Sequence, residues 1–217
     1  MLGLYQKASP VTDIHADIGN YYAAKVLRYG ATPLGVDWTC SPTQELRFVQ
    51  LLKLIGRPAK FSINDIGCGY GALVGFLRKR FSRSAIDYFG VDIAPEMIAV
   101  AIKHNAPAQN VEFAVGRAGI RVADYSVASG IFNVKLYHSA AAWAQFVAST
   151  LDDMARSSRK GFAVNFLAPL GSGEEGRQEL YRVAPEVWLD YCQQQLGLKV
   201  TLLEAYGLRE FTLLVRV

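Results

Sequence analysis

Cysteine is scarce in this chain of 217 residues. Three occur, Cys40, Cys68 and Cys192, odd in number and far apart, which argues against a disulfide framework as a source of stability. Long apolar runs are also missing. No stretch reaches the roughly 20 residues needed to span a bilayer, and the N-terminus lacks the charged-then-apolar layout of a secretory signal. The expected location is therefore the cytoplasm, with no membrane partner. Of the three histidines, His15 and His104 have no metal-ligand spacing to each other or to the cysteines, so no metal site is expected. Charge of one sign is barely in excess: 23 Lys and Arg against 19 Asp and Glu, a net charge of +4. The basic clusters, Arg78-Lys79-Arg80 with Arg83 and Arg156 with Arg159-Lys160, are short. They lie on or just after expected helices and read as solvated faces, so nucleic acid is not an expected partner. Repeats and low-complexity tracts are absent.

What is present suits one α/β domain. Hydrophobic residues make up 51% of the chain and the mean hydropathy is +0.14, enough for a packed core at this length. Residues 1–58 read as an N-terminal helical cap or lid, and residues 59–217 as a nucleotide-type domain. Within the cap, Ser41-Pro42-Thr43-Gln44 predicts a helix start, with Ser41 as N-cap and Gln44 as its capping-box partner. That helix is expected over Gln44 to Ile55, burying Leu46, Val49, Leu51, Leu52 and Leu54. Further helices are expected at Ala72 to Phe81, from Pro95, at Ala140 to Ser157 and at Pro185 to Leu196.

The densest information lies in Ile63-Asn64-Asp65-Ile66-Gly67-Cys68-Gly69-Tyr70-Gly71-Ala72. This reads as a strand, a glycine turn and a helix start. Backbone without Cβ lets a ligand approach closely, and the first turn of a helix presents free N–H groups. Asp65 stands before the turn, and Asp92 ends the next strand-like run, Tyr88-Phe89-Gly90-Val91-Asp92, where an acid can accept two ribose hydroxyls. Cys68 is a small residue within the loop, with no evident base partner for its thiol. Gly67-x-Gly69-x-x-Ala72 also satisfies a relaxed dinucleotide fingerprint, so an NAD-type oxidoreductase stays open, as does a non-catalytic nucleoside-binding module. Against the dinucleotide stand the Gly-x-Gly-x-Gly rhythm and Asp65, which suits a cationic amino group and would repel a pyrophosphate.

With these two motifs in hand, the chain resembles the class I S-adenosylmethionine-dependent methyltransferases from about Lys60 onward. The resemblance implies a three-layer αβα sandwich around a mostly parallel seven-stranded sheet. Strands are expected at Val111–Val115, Tyr125–Gly130 and Gly161–Leu167, with a C-terminal antiparallel hairpin at Lys199–Glu204 and Glu210–Val217. It implies S-adenosyl-L-methionine as cofactor, held by Asp65, Gly67, Cys68, Gly69, Gly71, Asp92 and Ile93. After the third strand, Arg117 stands where an acid is expected, which leaves either backbone of Arg117 and Ala118 to meet the adenine or Arg117 pointing to solvent. Gly130 and Phe132 would lie between cofactor and acceptor, Phe132 as a π wall beside the sulfonium. His138 is the candidate base. Arg47 is expected at the cofactor carboxylate, with Tyr22 or Trp38 covering it. Short basic clusters and the lack of a nucleic-acid module favour a small-molecule acceptor.

Overall fold

Strict alternation of apolar residues explains why this chain builds a sheet covered on both faces. In β5 (Ser158–Leu167) and β7 (Glu210–Arg216), Phe162, Val164, Phe166, Phe211, Leu213 and Val215 join one apolar cluster, while Ala163 and Leu214 join another. Successive side chains on a strand point to opposite faces, so the two clusters are the two sides of one sheet. The structure, a computed structural model, describes residues 11–118 and 121–217. The first ten residues of the expected cap lie outside the described residues.

The other strands are β1 (Lys60–Ile66), β2 (Ala85–Asp92), β3 (Val111–Val115), β4 (Ala123–Ala128) and β6 (Lys199–Leu203). The sheet runs β3-β2-β1-β4-β5-β7-β6. The first five strands are mutually parallel, and β7 inserts antiparallel between β5 and β6. The expected three-layer sandwich with its terminal hairpin is thus what forms. On one face lie α1 (Val11–Tyr29), α5 (Ala140–Arg156) and α6 (Pro185–Asp190), through Ile14, Ile18, Trp143, Val147, Leu151 and Trp188. On the other lie α2 (Ser41–Leu51) and α3 (Ala72–Arg80), through Phe48, Leu51, Leu73, Val74 and Leu77. Between them, α4 (Pro95–Asn105) uses Met97 to meet Val26 of α1 and Tyr70. Each fully buried Leu, Val or Phe adds about 1.5–3 kcal/mol of driving force.

Helix ends follow local chemistry, with one correction. α5 begins where Ser139 accepts a hydrogen bond from the Ala142 amide at 3.2 Å, a cap of about 1 kcal/mol. α2 begins one residue earlier than the capping-box reading requires. Cys40 is its N-cap and Ser41 its first residue, so Gln44 is released to accept from Tyr70 Oη at 2.9 Å. The helix also ends early, at Leu51, before a 3-10 turn at Leu52–Leu54. Its buried face holds Gln44, Arg47, Phe48, Gln50 and Leu51, whereas Leu46 and Val49 are half-buried. Apolar periodicity misassigns that face because two of its polar members, Gln44 and Arg47, find partners inside the fold. α6 is likewise shorter than expected and gives way to a widened turn at Tyr191–Gln195. No helix among the described residues is long and apolar enough to cross a membrane.

Candidate functional site

Parallel register brings the carboxyl ends of β1 to β4 together. Asp65 of β1 lies beside Gly90 of β2 and Val127 of β4, and Asp92 ends β2 beside Val115 of β3. A crevice opens above this edge. Its floor is Asp65, Ile66, Gly67, Cys68, Gly69 and Asp92; Ile93, Gly116 and Arg117 line one side, and Ser129, Gly130 and Ile131 the other. Its roof comes from the N-terminal segment: His15, Ile18 and Tyr22 of α1, then Val36, Trp38 and Gln44. Phe146 and Thr150 of α5 close the end.

The glycine loop is held from within. Gly67 and Gly69 adopt φ of 70° and 56°, a left-handed conformation that costs least for glycine. The Gly67 and Cys68 amides both donate to the Val91 carbonyl, at 2.8 and 2.9 Å, and the Gly71 amide donates to the Cys68 carbonyl at 3.0 Å. The Gly69 amide donates to Asp92 Oδ2 at 3.0 Å. These four loop amides are therefore engaged inside the protein and are not available to an anion. A pyrophosphate would meet two carboxylates and occupied donors. Close cover supplies the second reason for glycine: a Cβ on Gly69 would come within 2.8 Å of Val36 Cγ1, one on Gly67 would collide with Ile131, and one on Gly130 with the Trp38 indole.

The two acids differ in their partners. Asp65 is 3% exposed and accepts one hydrogen bond, from Tyr88 Oη at 2.7 Å. Burial pushes its carboxyl up to about 7, the Tyr88 bond works against this, and nearby Asp92 adds to the rise. Among the described residues no cationic side chain pairs with it. Asp92 accepts from both the Gly69 amide and, through Oδ1, the Ala94 amide at 3.0 Å. Burial raises its pKa too, and these backbone bonds hold the rise in check. Asp92 thereby pins the loop to the start of α4. Cys68 packs under the loop, and burial drives its thiol well above the ordinary range, so it is no nucleophile.

Several candidates named from sequence stand elsewhere. Phe132 is fully buried and stacks on Phe166 at 5.0 Å; its neighbour Ile131 lines the crevice instead, because the turn after Gly130 rotates the next side chain inward. Gly71 caps α3 and lies against Asn105 and Phe113. Ala118 is outside the lining, while Arg117 stands exposed at the rim. His138 is buried outside the lining, its Nε2 3.1 Å from Asp17 of α1. Arg47 does not reach the crevice. Its Nε donates to Glu210 at 2.9 and 3.0 Å, Nη2 also donates to Glu210, and Nη1 donates to the Thr43 carbonyl at 2.7 Å. Trp38 does line the crevice, with the Arg47 guanidinium 3.8 Å over its ring.

The rest of that network is invisible to apolar patterning. Asn165 Nδ2 donates to Glu210 Oε2 at 2.8 Å, and Asn165 Oδ1 accepts from the Gly130 amide at 2.8 Å. A ring results: Trp38, Arg47, Glu210, Asn165, Gly130 and back to Trp38. The only sequence signal was a lone Asn within the apolar run of β5 and a lone Glu opening β7, since buried polar residues demand partners. Ser129 was marked only by its place in the stretch after the fourth strand, and His15, Phe146 and Thr150 carried no signal for this site.

Comparison with known proteins bears on family and fold. A family model described as a methyltransferase domain matches residues 63–161. A protein of Mycobacterium tuberculosis, provisionally named a methyltransferase, is 40% identical over 165 residues, covering 76% of this chain and 98% of its own. Among solved structures, phosphoethanolamine N-methyltransferase 1 of Haemonchus contortus, in complex with phosphoethanolamine and S-adenosylhomocysteine, superposes with a TM-score of 0.68 at 13% identity. The match covers 98% of this chain but 51% of that one, so this chain spans about half its length. Magnesium protoporphyrin IX methyltransferase of Synechocystis, with bound S-adenosylmethionine, gives a TM-score of 0.64 at 13% identity, covering 98% and 99% of the two chains.

Proposed function

This chain belongs to the class I S-adenosylmethionine-dependent methyltransferases, and on that premise we propose that its crevice holds the cofactor with Asp65 at the ammonium group and Asp92 at the ribose, and that it methylates a small-molecule acceptor. The observation that carries the residue assignment is the buried Asp65 carboxylate without a cationic partner, above a loop whose amides are already engaged. An unpaired buried charge is costly, and a ligand ammonium relieves that cost. The same floor disfavours a dinucleotide pyrophosphate. Gly67, Gly69 and Gly130 give close approach for the cofactor body, Ile93 and Arg117 flank the adenine end, and Trp38 and Tyr22 cover it.

When bound, the cofactor supplies an activated methyl group and a good leaving group. The protein's own tasks are to align the acceptor with that methyl and to exclude water. Ile131, Phe146 and the α1 roof perform the second task by their apolar surface. Titration calorimetry with S-adenosylhomocysteine and with NAD tests the reading. Binding of the first, lost in Asp65→Ala, and none of the second is expected; tight NAD binding without S-adenosylhomocysteine binding would end it.

A further inference from the structure

The crevice has two chemically distinct ends. Its charged lining residues, Asp65, Asp92 and Arg117, all belong to the ends of β1 and β2 or follow β3. The other end lies between α1 and α5. There His15 and Ile18 face Phe146 and Thr150, with Ile131 and Ser129 beneath. No lining residue at that end, among those described, carries a fixed charge. His15 meets the Phe146 ring edge-on at 5.3 Å, which orients the imidazole. Ser129 Oγ is buried without a hydrogen-bond partner, a polar group that an occupant's heteroatom can satisfy. Thr150 Oγ1 donates to the Phe146 carbonyl at 2.9 Å, leaving its acceptor side available.

We propose that this end is the acceptor chamber, that it takes a neutral, ring-sized hydroxylated aromatic, and that His15 is the catalytic base. The proposal rests on the cofactor reading above. An anionic acceptor such as a phosphobase would find no cation in the chamber, and burying its charge there is costly. Ile18, Ile131 and Phe146 offer apolar surface against which an aromatic ring packs. A phenol hydroxyl has a pKa of about 10, as in tyrosine, so it needs help to become a nucleophile near neutral pH. In the step, the hydroxyl proton passes to the His15 imidazole. The acceptor oxygen forms its bond to the methyl carbon as the carbon–sulfur bond breaks, with that electron pair left on sulfur. The proton then leaves His15 for water.

Two measurements test this, using the full chain. In calorimetry, 4-methylphenol should bind the protein saturated with S-adenosylhomocysteine, phosphoethanolamine should not, and His15→Gln should weaken the phenol at least tenfold while leaving S-adenosylhomocysteine affinity within twofold. In turnover with S-adenosylmethionine, His15→Gln should slow methylation of 4-methylphenol by about 100-fold or more, the usual range for losing a general base. The rate loss should exceed the loss in phenol affinity, and added imidazole should restore part of the rate by acting as the missing base. A rate loss no larger than the affinity loss, with no rescue by imidazole, would overturn the role of His15. S-adenosylhomocysteine binding with no phenol binding would overturn the acceptor class and leave the cofactor reading standing. Failure to bind S-adenosylhomocysteine would sink both.

Discussion

Asp65 sets the pH behaviour expected of this protein at the residue scale. Its carboxyl is raised from 3.8 to about 7 by burial. A raised carboxylate pKa means that the folded state binds the proton more tightly than the unfolded chain. Its contribution is therefore fully present below about pH 4 and is lost as pH rises through about 7, an amount on the order of 4 kcal/mol. Cofactor binding runs the other way, because the ammonium partner needs the ionised form. S-adenosylhomocysteine should bind roughly tenfold more weakly at pH 6 than at pH 8, releasing most of a proton at pH 6. Asp65→Asn should remove that slope; calorimetry in buffers of different ionisation enthalpy reads both effects. Asp92→Ala should weaken the ligand by about 1.5–3 kcal/mol, the range for hydrogen bonds to a charged group. It should also destabilise the fold by about 1–3 kcal/mol, since the Gly69 and Ala94 amides lose their acceptor. An unchanged urea midpoint would contradict the pinning role. Both acids were legible in the sequence because each ends a short apolar run beside glycines. Asp92's second task was not, because it depends on where a neighbouring loop comes to lie.

At the scale of elements, α2 is joined to the sheet by a buried ion pair. The Arg47 side chain is 8% exposed and that of Glu210 1%. Removing one partner strands the other charge, at a cost of about 3–5 kcal/mol. Arg47→Ala should therefore lower unfolding stability by that amount in denaturant titration. The double variant Arg47→Met with Glu210→Leu should recover a substantial part, as paired apolar replacement often does. A loss of cofactor affinity in Arg47→Ala with stability unchanged would instead favour the carboxylate-binding role expected from sequence. Asn165 extends the same connection to the Gly130 amide. Asn165→Leu should free that amide and reduce cofactor affinity, while Asn165→Asp keeps an acceptor for the amide but loses the donor to Glu210 and sets a second carboxylate beside it.

Across the whole molecule, the N-terminal segment divides into two kinds of contact. α2 shares an apolar cluster with α3 and β1, so it moves only if the core opens. α1 and the Pro33–Val36 turn lie over the crevice, with Val36 on Gly69 and Trp38 on Gly130. Asp37, accepting from Tyr21 and Lys25, ties α1 to the turn that follows it, and His138 Nε2 approaches Asp17 to 3.1 Å. We expect S-adenosylhomocysteine to slow amide exchange over residues 14–38, at least tenfold at the most protected sites, and to leave residues 44–55 little changed. Equal exchange of residues 14–38 in the two states would reduce the roof to fixed packing. Closure of this kind shields reacting groups from water and completes a site.

Local chemistry in the chain was enough to determine the strand-turn-helix unit at Ile63–Ala72, the acid ending β2, the position of β3 and the terminal hairpin. Each is written in contiguous residues whose backbone and alternation need no distant partner. Tertiary structure alone decided which side chains face the crevice. His138 and Phe132 follow β4 in sequence, yet the turn after Gly130 carries one to Asp17 and the other into the core. His15 lies about 50 residues before the glycine loop but reaches the crevice because α1 folds back across the sheet edge. Arg47 meets Glu210, 163 positions away, because antiparallel insertion of β7 sets its first residue beside Leu167, the last residue of β5. Periodicity along a chain reports how much of a residue is buried; the identity of its partner is settled only when distant segments pack.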